Sequence, residues 1–241
     1  MTLDLSGHGS RTAVNERSTL ASMARDIALV IDRLCLERPL LVGHSLGALV
    51  VMQYIRDCGT NGLAGVCLID QSPRITNDSH WRLGLLGSLT RAQLESAVAR
   101  LKGAFESSAK GPGGRPESTG VVLGGVLAKL HDRIAPVLSI LDSLIPADYR
   151  DVVARLSVPA LVVLGGVSHH HGGLPLAAYY EATLRQGTVL TYPSSSHSPH
   201  RQNPKRFAAD LAMFAARFFR RHRTARHLPA DPAFTDRGRA P

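Results

Sequence analysis

The segment Gly43-His44-Ser45-Leu46-Gly47 lies between two apolar runs and constrains the fold more than any other part of the chain. The run before it, which starts at Leu40, predicts a short buried parallel strand, and the run after it predicts a helix. A strand that turns directly into a helix strains the residue between them, so we expect Gly43 and Gly47 to be required where the two elements crowd together. The pattern is a nucleophile elbow, which presents Ser45 at the carboxyl edge of a sheet.

The predicted helix start supplies groups that would stabilise negative charge beside Ser45. Backbone N–H groups in the first turn of a helix have no intrahelical acceptor and carry a partial positive charge. The N–H of Leu46 is therefore a candidate donor to an oxyanion. The side chain of His44, on the other side of the serine, is a candidate contact for substrate. The alternative is that Ser45 merely caps the helix.

Size and composition favour one large α/β domain, with or without an inserted cap. The chain has 241 residues, of which 44% are hydrophobic, and this is enough for a sizeable core. No apolar run approaches the roughly 18 residues of a membrane span, and the first residues do not resemble a signal peptide. Three cysteines at scattered positions favour reduced thiols, so we expect a cytoplasmic protein with no membrane partner.

The net charge of +9 raises the question of nucleic-acid binding, but most of that charge lies at one end. Seven arginines and two aspartates occupy the stretch from Arg217 to Pro241. Such a stretch is typical of a solvated extension, so we interpret residues 220–241 as a disordered basic tail. A basic tail binds polyanions weakly, and we therefore expect no specific nucleic-acid partner.

Four apolar stretches predict strands, and helical patterns lie between them. The strands are predicted at residues 40–42, 66–69, 159–164 and 188–192. The helices are predicted at residues 20–36, 46–58, 94–105, 121–130, 134–144, 176–184 and 207–219. Ser18 or Thr19 is expected to cap the first helix, and Pro39 to stop it. The alternation predicts a parallel sheet with helices on both faces.

The alternation lapses between residues 74 and 155, where helical patches flank a segment rich in glycine and proline. We therefore divide the chain into a first core part at residues 1–73, a helical cap insertion at 74–155, a second core part at 156–219 and the basic tail at 220–241. Ser45, Asp70 and His197 each follow a predicted strand. Because the carboxyl ends of parallel strands meet at one edge of a sheet, we expect these side chains to converge.

Four segments resemble the α/β-hydrolase family, in particular the group of cofactor-independent haloperoxidases and related esterases. They are Leu3-Asp4-Leu5-Ser6-Gly7-His8-Gly9-Ser10, Val42-Gly43-His44-Ser45-Leu46-Gly47-Ala48, Ile69-Asp70-Gln71-Ser72-Pro73 and Ser196-His197-Ser198-Pro199-His200. The resemblance extends to about residue 220 and is weak in the insertion. It implies an α/β-hydrolase fold, a Ser–acid–His triad, an ester-like or other small acyl substrate, and no cofactor.

The resemblance implies that Ser45 is the nucleophile and that His197 is the general base. A strand, a polar loop, one histidine and then a helix are the expected context of that base. His200, three residues further along the chain, is the second candidate for it. Trp81 in the insertion is a candidate for the roof of the substrate pocket, and the alternative is that it packs the insertion onto the core.

The acid departs from the commonest pattern of the family. Many members carry an aspartate after the strand that corresponds to residues 160–164, but this chain reads Gly166-Val167-Ser168-His169-His170-His171 there. An imidazole does not replace a carboxylate as the partner of the base. Some α/β-hydrolases take the acid from the end of the previous strand, and this assigns Asp70, with a turn or helix cap as the alternative. We expect no metal at the triple histidine, because no carboxylate or thiolate is near it in sequence.

Relatives of this family begin well upstream of Met1, with strands and a His-Gly oxyanion loop. One of those strands lies between the strand at Leu3 and the elbow strand, so we expect the elbow strand to have an open edge. Such an edge would favour association between copies and leaves a homo-oligomer as an option. We favour a start that was assigned too late over a truncated relative of low activity, because the triad candidates are all present.

Three functions compete on this sequence. The first is a serine hydrolase of small esters or lactones that forms an acyl-enzyme, with perhydrolase side activity as an addition. Ser45 excludes haloalkane dehalogenase chemistry, which needs a carboxylate nucleophile. The second is a catalytically silent binding or scaffold protein on a decayed hydrolase fold. The missing oxyanion loop and the displaced acid favour this alternative. Nucleic-acid binding through the tail ranks last.

Overall fold

The computed structural model describes residues 1–11, 18–108, 140–170 and 173–223. Within these ranges the sheet has four strands, all parallel and in the order of the chain, so the predicted α/β class is confirmed. The strands are β1 (Leu40–His44), β2 (Gly65–Ile69), β3 (Ala160–Gly165) and β4 (Gly187–Tyr192). The helices are α1 (Leu20–Arg33), α2 (Leu46–Cys58), α3 (Arg91–Ser108), α4 (Arg150–Ala154), α5 (Gly173–Thr183), α6 (Pro199–Gln202) and α7 (Pro204–Arg223).

Apolar side chains cover both faces of the sheet, as is typical of parallel strands that are buried on both sides. On one face, Leu68 and Val162 belong to the core that also includes buried residues of α1, α2 and α5. On the other face, Ile69 and Leu161 lie beneath Phe214 of α7. Full burial of one such side chain contributes about 1.5–3 kcal/mol, so these contacts hold the helices against the sheet.

Helix α1 begins as predicted and ends earlier than predicted. Thr19 caps it: the Thr19 hydroxyl accepts a hydrogen bond from the Ser22 N–H at 3.1 Å, and the Ser22 hydroxyl accepts one from the Thr19 N–H at 2.9 Å. The prediction that Pro39 stops the helix is wrong, because the helix ends at Arg33. Cys35, with φ 48°, adopts a left-handed conformation that turns the chain before the proline is reached.

Helix α7 is longer than the pattern predicts. It continues to Arg223, so residues 220–223 of the predicted disordered tail are helical, and that part of the prediction is wrong. Pro204 opens the helix, where its missing N–H is not needed, and no further proline and no glycine follows before residue 224. The rest of the predicted tail lies outside the described residues. Neither α7 nor any other helix in the described ranges is long and apolar enough to cross a membrane.

The inserted segment leaves and rejoins the core at neighbouring points. Arg74 and Asp148 form an antiparallel bridge, and the Tyr149 N–H donates to the Pro73 carbonyl at 2.8 Å. Between these points α3 and residues 140–144 are helical, as predicted, whereas the first part of the insertion is a loop with one 3-10 turn. The predicted helix at 121–130 and the first part of that at 134–144 lie outside the described residues.

Strand β1 lies at one edge of the described sheet, and this confirms the predicted open edge. Its Val42 side chain is correspondingly exposed, at 46%. The prediction of a strand at Leu3 is wrong, since residues 1–5 are not in a strand. Strands are stable only when a neighbour takes up their backbone hydrogen bonds, and in the described sheet β1 pairs with β2 alone.

Candidate active site

The register of the sheet places two of the predicted site residues side by side. His44 is paired with Ile69, so Ser45 and Asp70 follow at the ends of neighbouring strands. The Ser45 N–H donates to the Ile69 carbonyl at 3.0 Å, and the Asp70 N–H donates to the Val163 carbonyl at 2.8 Å. The backbone of each residue is therefore fixed to the next strand of the sheet.

Ser45 has the conformation that a nucleophile elbow requires. Its φ of 53° and ψ of −119° are strained for a residue with a side chain. A Cβ on Gly43 would lie 2.3 Å from the Gly47 carbonyl oxygen, which confirms the prediction for Gly43. The prediction for Gly47 is wrong, because a Cβ there would meet no other atom of the described residues within 4 Å. Helix α2 crowds the strand through the backbone of Gly47, and the space beside its Cα is open.

A chain of two hydrogen bonds joins Ser45, His197 and Asp70. The Ser45 Oγ lies 2.9 Å from His197 Nε2, and His197 Nδ1 lies 2.8 Å from Asp70 Oδ2. Because a carboxylate only accepts, Nδ1 carries the proton and Nε2 is free to accept one from the serine hydroxyl. Asp70 is buried, at 1% exposure, whereas His197 remains partly exposed. The structure thus brings together the three residues that the sequence predicts as nucleophile, base and acid.

The loop that carries His197 is pressed against the end of β3. A Cβ on Gly165 would lie 2.1 Å from the Ser196 carbonyl oxygen, so only glycine allows this approach. The Val167 N–H donates to the Ser195 carbonyl at 3.0 Å, and the Asn203 side-chain amide donates to the Ser195 hydroxyl at 2.7 Å. These contacts fix the loop between β4 and α6 and hence the position of the His197 ring.

Three further histidines lie near His197: the rings of His44 and His170 contact its ring, and His200 contacts His44, an arrangement that the sequence did not reveal. His44 Nε2 donates to the His197 carbonyl at 2.5 Å, and the His170 ring lies 4.0 Å from the His197 ring between centroids. His200, the second candidate for the base, contacts the His44 ring at 4.5 Å, whereas His197 holds the hydrogen bond to Ser45. His44 thus supports the loop that carries His197, and a contact of His44 with substrate stays a prediction.

The environment lowers the pKa of each of these neighbouring histidines. Burial is the main cause for His44, and the nearby His197 ring adds to it, although the hydrogen bond to the His197 carbonyl acts in the opposite direction. Burial and then repulsion from His197 lower the pKa of His170. Burial and then repulsion from His44 lower the pKa of His200. The Nδ1 atom of His200 is also buried without a hydrogen-bond partner in the described part of the chain.

We expect the free energy of unfolding to fall as the pH is lowered below about 6.5, the ordinary pKa of histidine. Because the pKa values of His44, His170 and His200 are lower in the folded chain, the unfolded chain binds more protons in this window. The stability is therefore complete above that pH and is lost as the pH falls towards the folded values. The lowered pKa values of Asp78 and Asp148 act only below about 4, in a separate window.

Urea unfolding between about pH 5 and pH 8 measures this dependence. The variant His200→Gln removes one of the three groups and should flatten the slope, while His8→Gln, at an exposed position, serves as the control. An unchanged free energy of unfolding between about pH 7.5 and pH 5.5 in the parent chain contradicts the prediction.

Both oxygens of the Asp70 carboxylate have partners at the end of β3 or in the turn that follows it. The Gly165 N–H donates to Asp70 Oδ1 at 2.8 Å, and the buried Ser168 hydroxyl donates to Asp70 Oδ2 at 2.7 Å. Sequence reasoning missed this role of Ser168. The available signal was a hydroxyl residue in the turn where the resemblance to the α/β-hydrolases implies that many members carry their acid.

Leu46 and Trp81 have different relations to Ser45. Leu46 follows Ser45 directly and opens α2, so its N–H has no intrahelical acceptor. Trp81 is buried, donates from Nε1 to the Arg74 carbonyl at 3.2 Å and meets the Tyr179 ring edge-on. It lines a cavity of about 860 Å³ whose lining does not include the triad residues. These contacts attach the insertion to α5, and a role of Trp81 in substrate binding stays a prediction.

The described residues contain no group of three or more histidine, cysteine, aspartate or glutamate side chains arranged to hold a metal ion. Within the triple histidine, His170 contacts the ring of His197. His171 lies outside the described residues.

This fold and site agree with the result of comparing the chain with known proteins. The chain belongs to the Alpha/beta hydrolase family, a family of enzymes, since the model of that family matches residues 1–210. A sequence relative is 2-succinyl-6-hydroxy-2,4-cyclohexadiene-1-carboxylate synthase from Serratia proteamaculans. It is 25% identical over 230 residues, which cover 89% of this chain and 82% of the relative.

Solved structures of the same fold include enzymes of more than one name. The esterase EaEST from Exiguobacterium antarcticum has a TM-score of 0.66 at 20% identity, with 88% of this chain and 79% of that chain covered. A bromoperoxidase from Bacillus anthracis has a TM-score of 0.61 at 21% identity, with 88% and 79% covered. A thermophilic esterase from Thermogutta terrifontis has a TM-score of 0.63 at 23% identity, with 89% and 78% covered. The resemblance to the α/β-hydrolase fold is therefore confirmed.

Proposed function

We propose that the protein is a serine hydrolase that cleaves small ester-like substrates through an acyl-enzyme. The observation that carries the proposal is the hydrogen-bonded chain from Ser45 Oγ through His197 to Asp70. His197 Nε2 takes the proton of the Ser45 hydroxyl as the oxygen attacks the acyl carbon, and then gives it to the leaving group. Water, activated by the same nitrogen, releases the acid and frees Ser45. Asp70 holds the ring and stabilises its positive charge.

The N–H of Leu46 is the proposed donor to the oxygen that becomes negative in each of these steps. It directly follows the nucleophile and lies at the positive end of α2. Losing one such donor in a studied hydrolase lowers turnover by about 10²–10³, so a single well-placed N–H has a large effect on the rate.

The substrate class rests on the chemistry of the three residues and on the names of similar proteins. Two of the structures reported above are esterases by name, whereas the sequence relative from Serratia proteamaculans is a synthase. An ester is the simplest acyl substrate that a Ser–His–Asp site cleaves without a further group. We therefore propose small esters, with acetate and butyrate esters as the first probes and perhydrolysis as a side activity.

Covalent labelling of Ser45 is the experiment that tests the proposal. We expect a fluorophosphonate to label the chain at Ser45, and p-nitrophenyl acetate or butyrate to be hydrolysed. Both signals should vanish in Ser45→Ala and persist in Ser194→Ala, whose serine is exposed in the loop before His197. The labelled residue is identified by mass spectrometry of peptides.

The competing function is a catalytically silent binding protein. It predicts that Ser45 reacts with the fluorophosphonate no faster than Ser194 and that neither ester is turned over above the background rate. That pair of results would reject the hydrolase. Labelling without turnover of either ester would retain the activated serine and reject only small esters as its substrates.

We further propose a cytoplasmic location and a small-molecule partner. The support is that Cys35, Cys58 and Cys67 are all free thiols, two of them exposed. Exposed free thiols persist where the surroundings are reducing.

A further inference from the structure

One oxygen of the Asp70 carboxylate accepts two hydrogen bonds. Oδ2 lies 2.8 Å from His197 Nδ1 and 2.7 Å from the Ser168 Oγ. The other oxygen, Oδ1, lies 2.8 Å from the Gly165 backbone nitrogen. Ser168 is buried, and its hydroxyl donates to a carboxylate that is 1% exposed.

Two donors from one turn therefore fix the plane of this carboxylate. Without the Ser168 hydroxyl, the Gly165 N–H and the His197 Nδ1–H would still hold the carboxylate, but Oδ2 would lose one of its donors and the carboxylate would turn more easily about its Cβ–Cγ bond. With the Ser168 hydroxyl in place, Oδ2 is held towards His197 Nδ1 while Oδ1 stays on the Gly165 N–H. Hydrogen bonds to a buried charge are roughly twice as strong as neutral ones, so the loss of one donor is felt at the site.

We propose that Ser168 is a positioning residue that holds the Asp70 carboxylate against His197, an inference that rests on the proposed function. Ser168 acts on His197 through its hydrogen bond to Asp70. The hydroxyl is the right group for this place, because a second carboxylate there would face Asp70 at hydrogen-bond distance and repel it.

The turn that carries Ser168 is itself fixed from several sides. The Ser168 N–H donates to the Gly165 carbonyl at 3.2 Å, and the Val167 N–H donates to the Ser195 carbonyl in the His197 loop at 3.0 Å. Two residues after Ser168, the carbonyl of His170 accepts from the Leu86 N–H at 2.9 Å, while its ring faces His197. The same turn thus contacts the acid and the base, and it holds both in one arrangement.

The test compares Ser168→Ala with Ser168→Cys, which keeps the size but has only a weak donor. We expect both variants to lower kcat for p-nitrophenyl acetate by about ten- to hundredfold, with KM unchanged. Ser194→Ala is the matched control and should stay within about twofold of the parent. The cysteine variant keeps the test valid if the alanine variant fails to fold, because cysteine leaves no cavity.

Coupling to Asp70 separates positioning from a merely structural role. In an Asp70→Asn background, Ser168→Ala should change kcat by less than about twofold, because no carboxylate remains to be held. A loss as large as in the parent chain would overturn the proposal, since Ser168 would then act independently of Asp70.

A readout that needs no turnover is the low-field proton resonance of His197 Nδ1–H, assigned with His197→Gln. We expect Ser168→Ala and Ser168→Cys to shift or broaden it, and Ser194→Ala to leave it in place. An unmoved resonance in both Ser168 variants overturns the proposal. A parent chain that neither labels at Ser45 nor hydrolyses the ester would instead reject the proposed function, while the resonance still decides the role of Ser168.

Discussion

Replacing Asp70 by asparagine is expected to lower kcat for ester hydrolysis by about 10⁴, as the corresponding change does in a studied serine protease. The Gly165 N–H requires an acceptor, so the amide oxygen stays on that side and the NH₂ group turns towards His197. His197 Nδ1 must then accept a hydrogen bond from that NH₂ group, so the ring proton moves to Nε2, the nitrogen that faces Ser45. In that tautomer Nε2, the nitrogen that faces Ser45, has no lone pair with which to take the proton of the serine hydroxyl.

Steady-state hydrolysis of p-nitrophenyl acetate and butyrate measures the effect, with Asp32→Asn as the control at an exposed position of α1. The near-ultraviolet circular dichroism and the unfolding midpoint of Asp70→Asn should stay close to those of the parent. A loss smaller than about tenfold would mean that another residue supplies the acid, and would reject Asp70 in that role.

The second large effect concerns the fold of the elbow. We expect Gly43→Ala to lower the free energy of unfolding by about 3 kcal/mol, the upper end of the range for overpacked cores. The new Cβ would lie 2.3 Å from the Gly47 carbonyl oxygen and 2.5 Å from the Gly47 carbonyl carbon. Both atoms belong to the backbone, so no side chain can rotate away, and the strand and α2 must separate.

Gly47→Ala is the matched control, because it adds the same methyl group on the other side of Ser45. Its Cβ meets no other atom within 4 Å, and alanine is favoured over glycine in a helix by about 1 kcal/mol. We therefore expect this variant to be as stable as the parent or slightly more stable. Urea unfolding of the two variants measures the difference. Equal losses of stability would contradict the prediction that a side chain is excluded at Gly43 but not at Gly47.

Local patterns were sufficient to predict the sheet and most of the site. The strands are short apolar runs bounded by turn residues, and each lies within two residues of its predicted place. Ser45 was recognisable because strand, glycine pair and helix follow one another within a few residues. The rule that side chains after parallel strands meet at one edge predicted that Asp70 and His197 lie near Ser45, and the resemblance to the α/β-hydrolases implied their roles.

Local sequence patterns could not predict contacts between segments that are distant in the chain. The hydroxyl of Ser168 meets Asp70 across nearly a hundred residues of chain, and the rings of His170 and His197 meet because two loops fold together. The end of α1 was mispredicted for a similar reason: the left-handed turn at Cys35 stops it, and no local breaker marks that place. The prediction for Gly47 was wrong because the local sequence does not show that the space beside its Cα is open.

The meeting of Arg74 with Asp148 has a consequence for how proteins of this architecture diversify. The two ends of the inserted segment lie side by side, so a change in the length of chain between them need not displace β2 or α4. Doubling the length of such a loop costs only about 0.6 kcal/mol of closure entropy. Changes of length are therefore best tolerated away from the residues of the segment that pack on the core, such as Ile75, Leu94 and Val98, while the ends of β1, β2 and β4 keep Ser45, Asp70 and His197 in register.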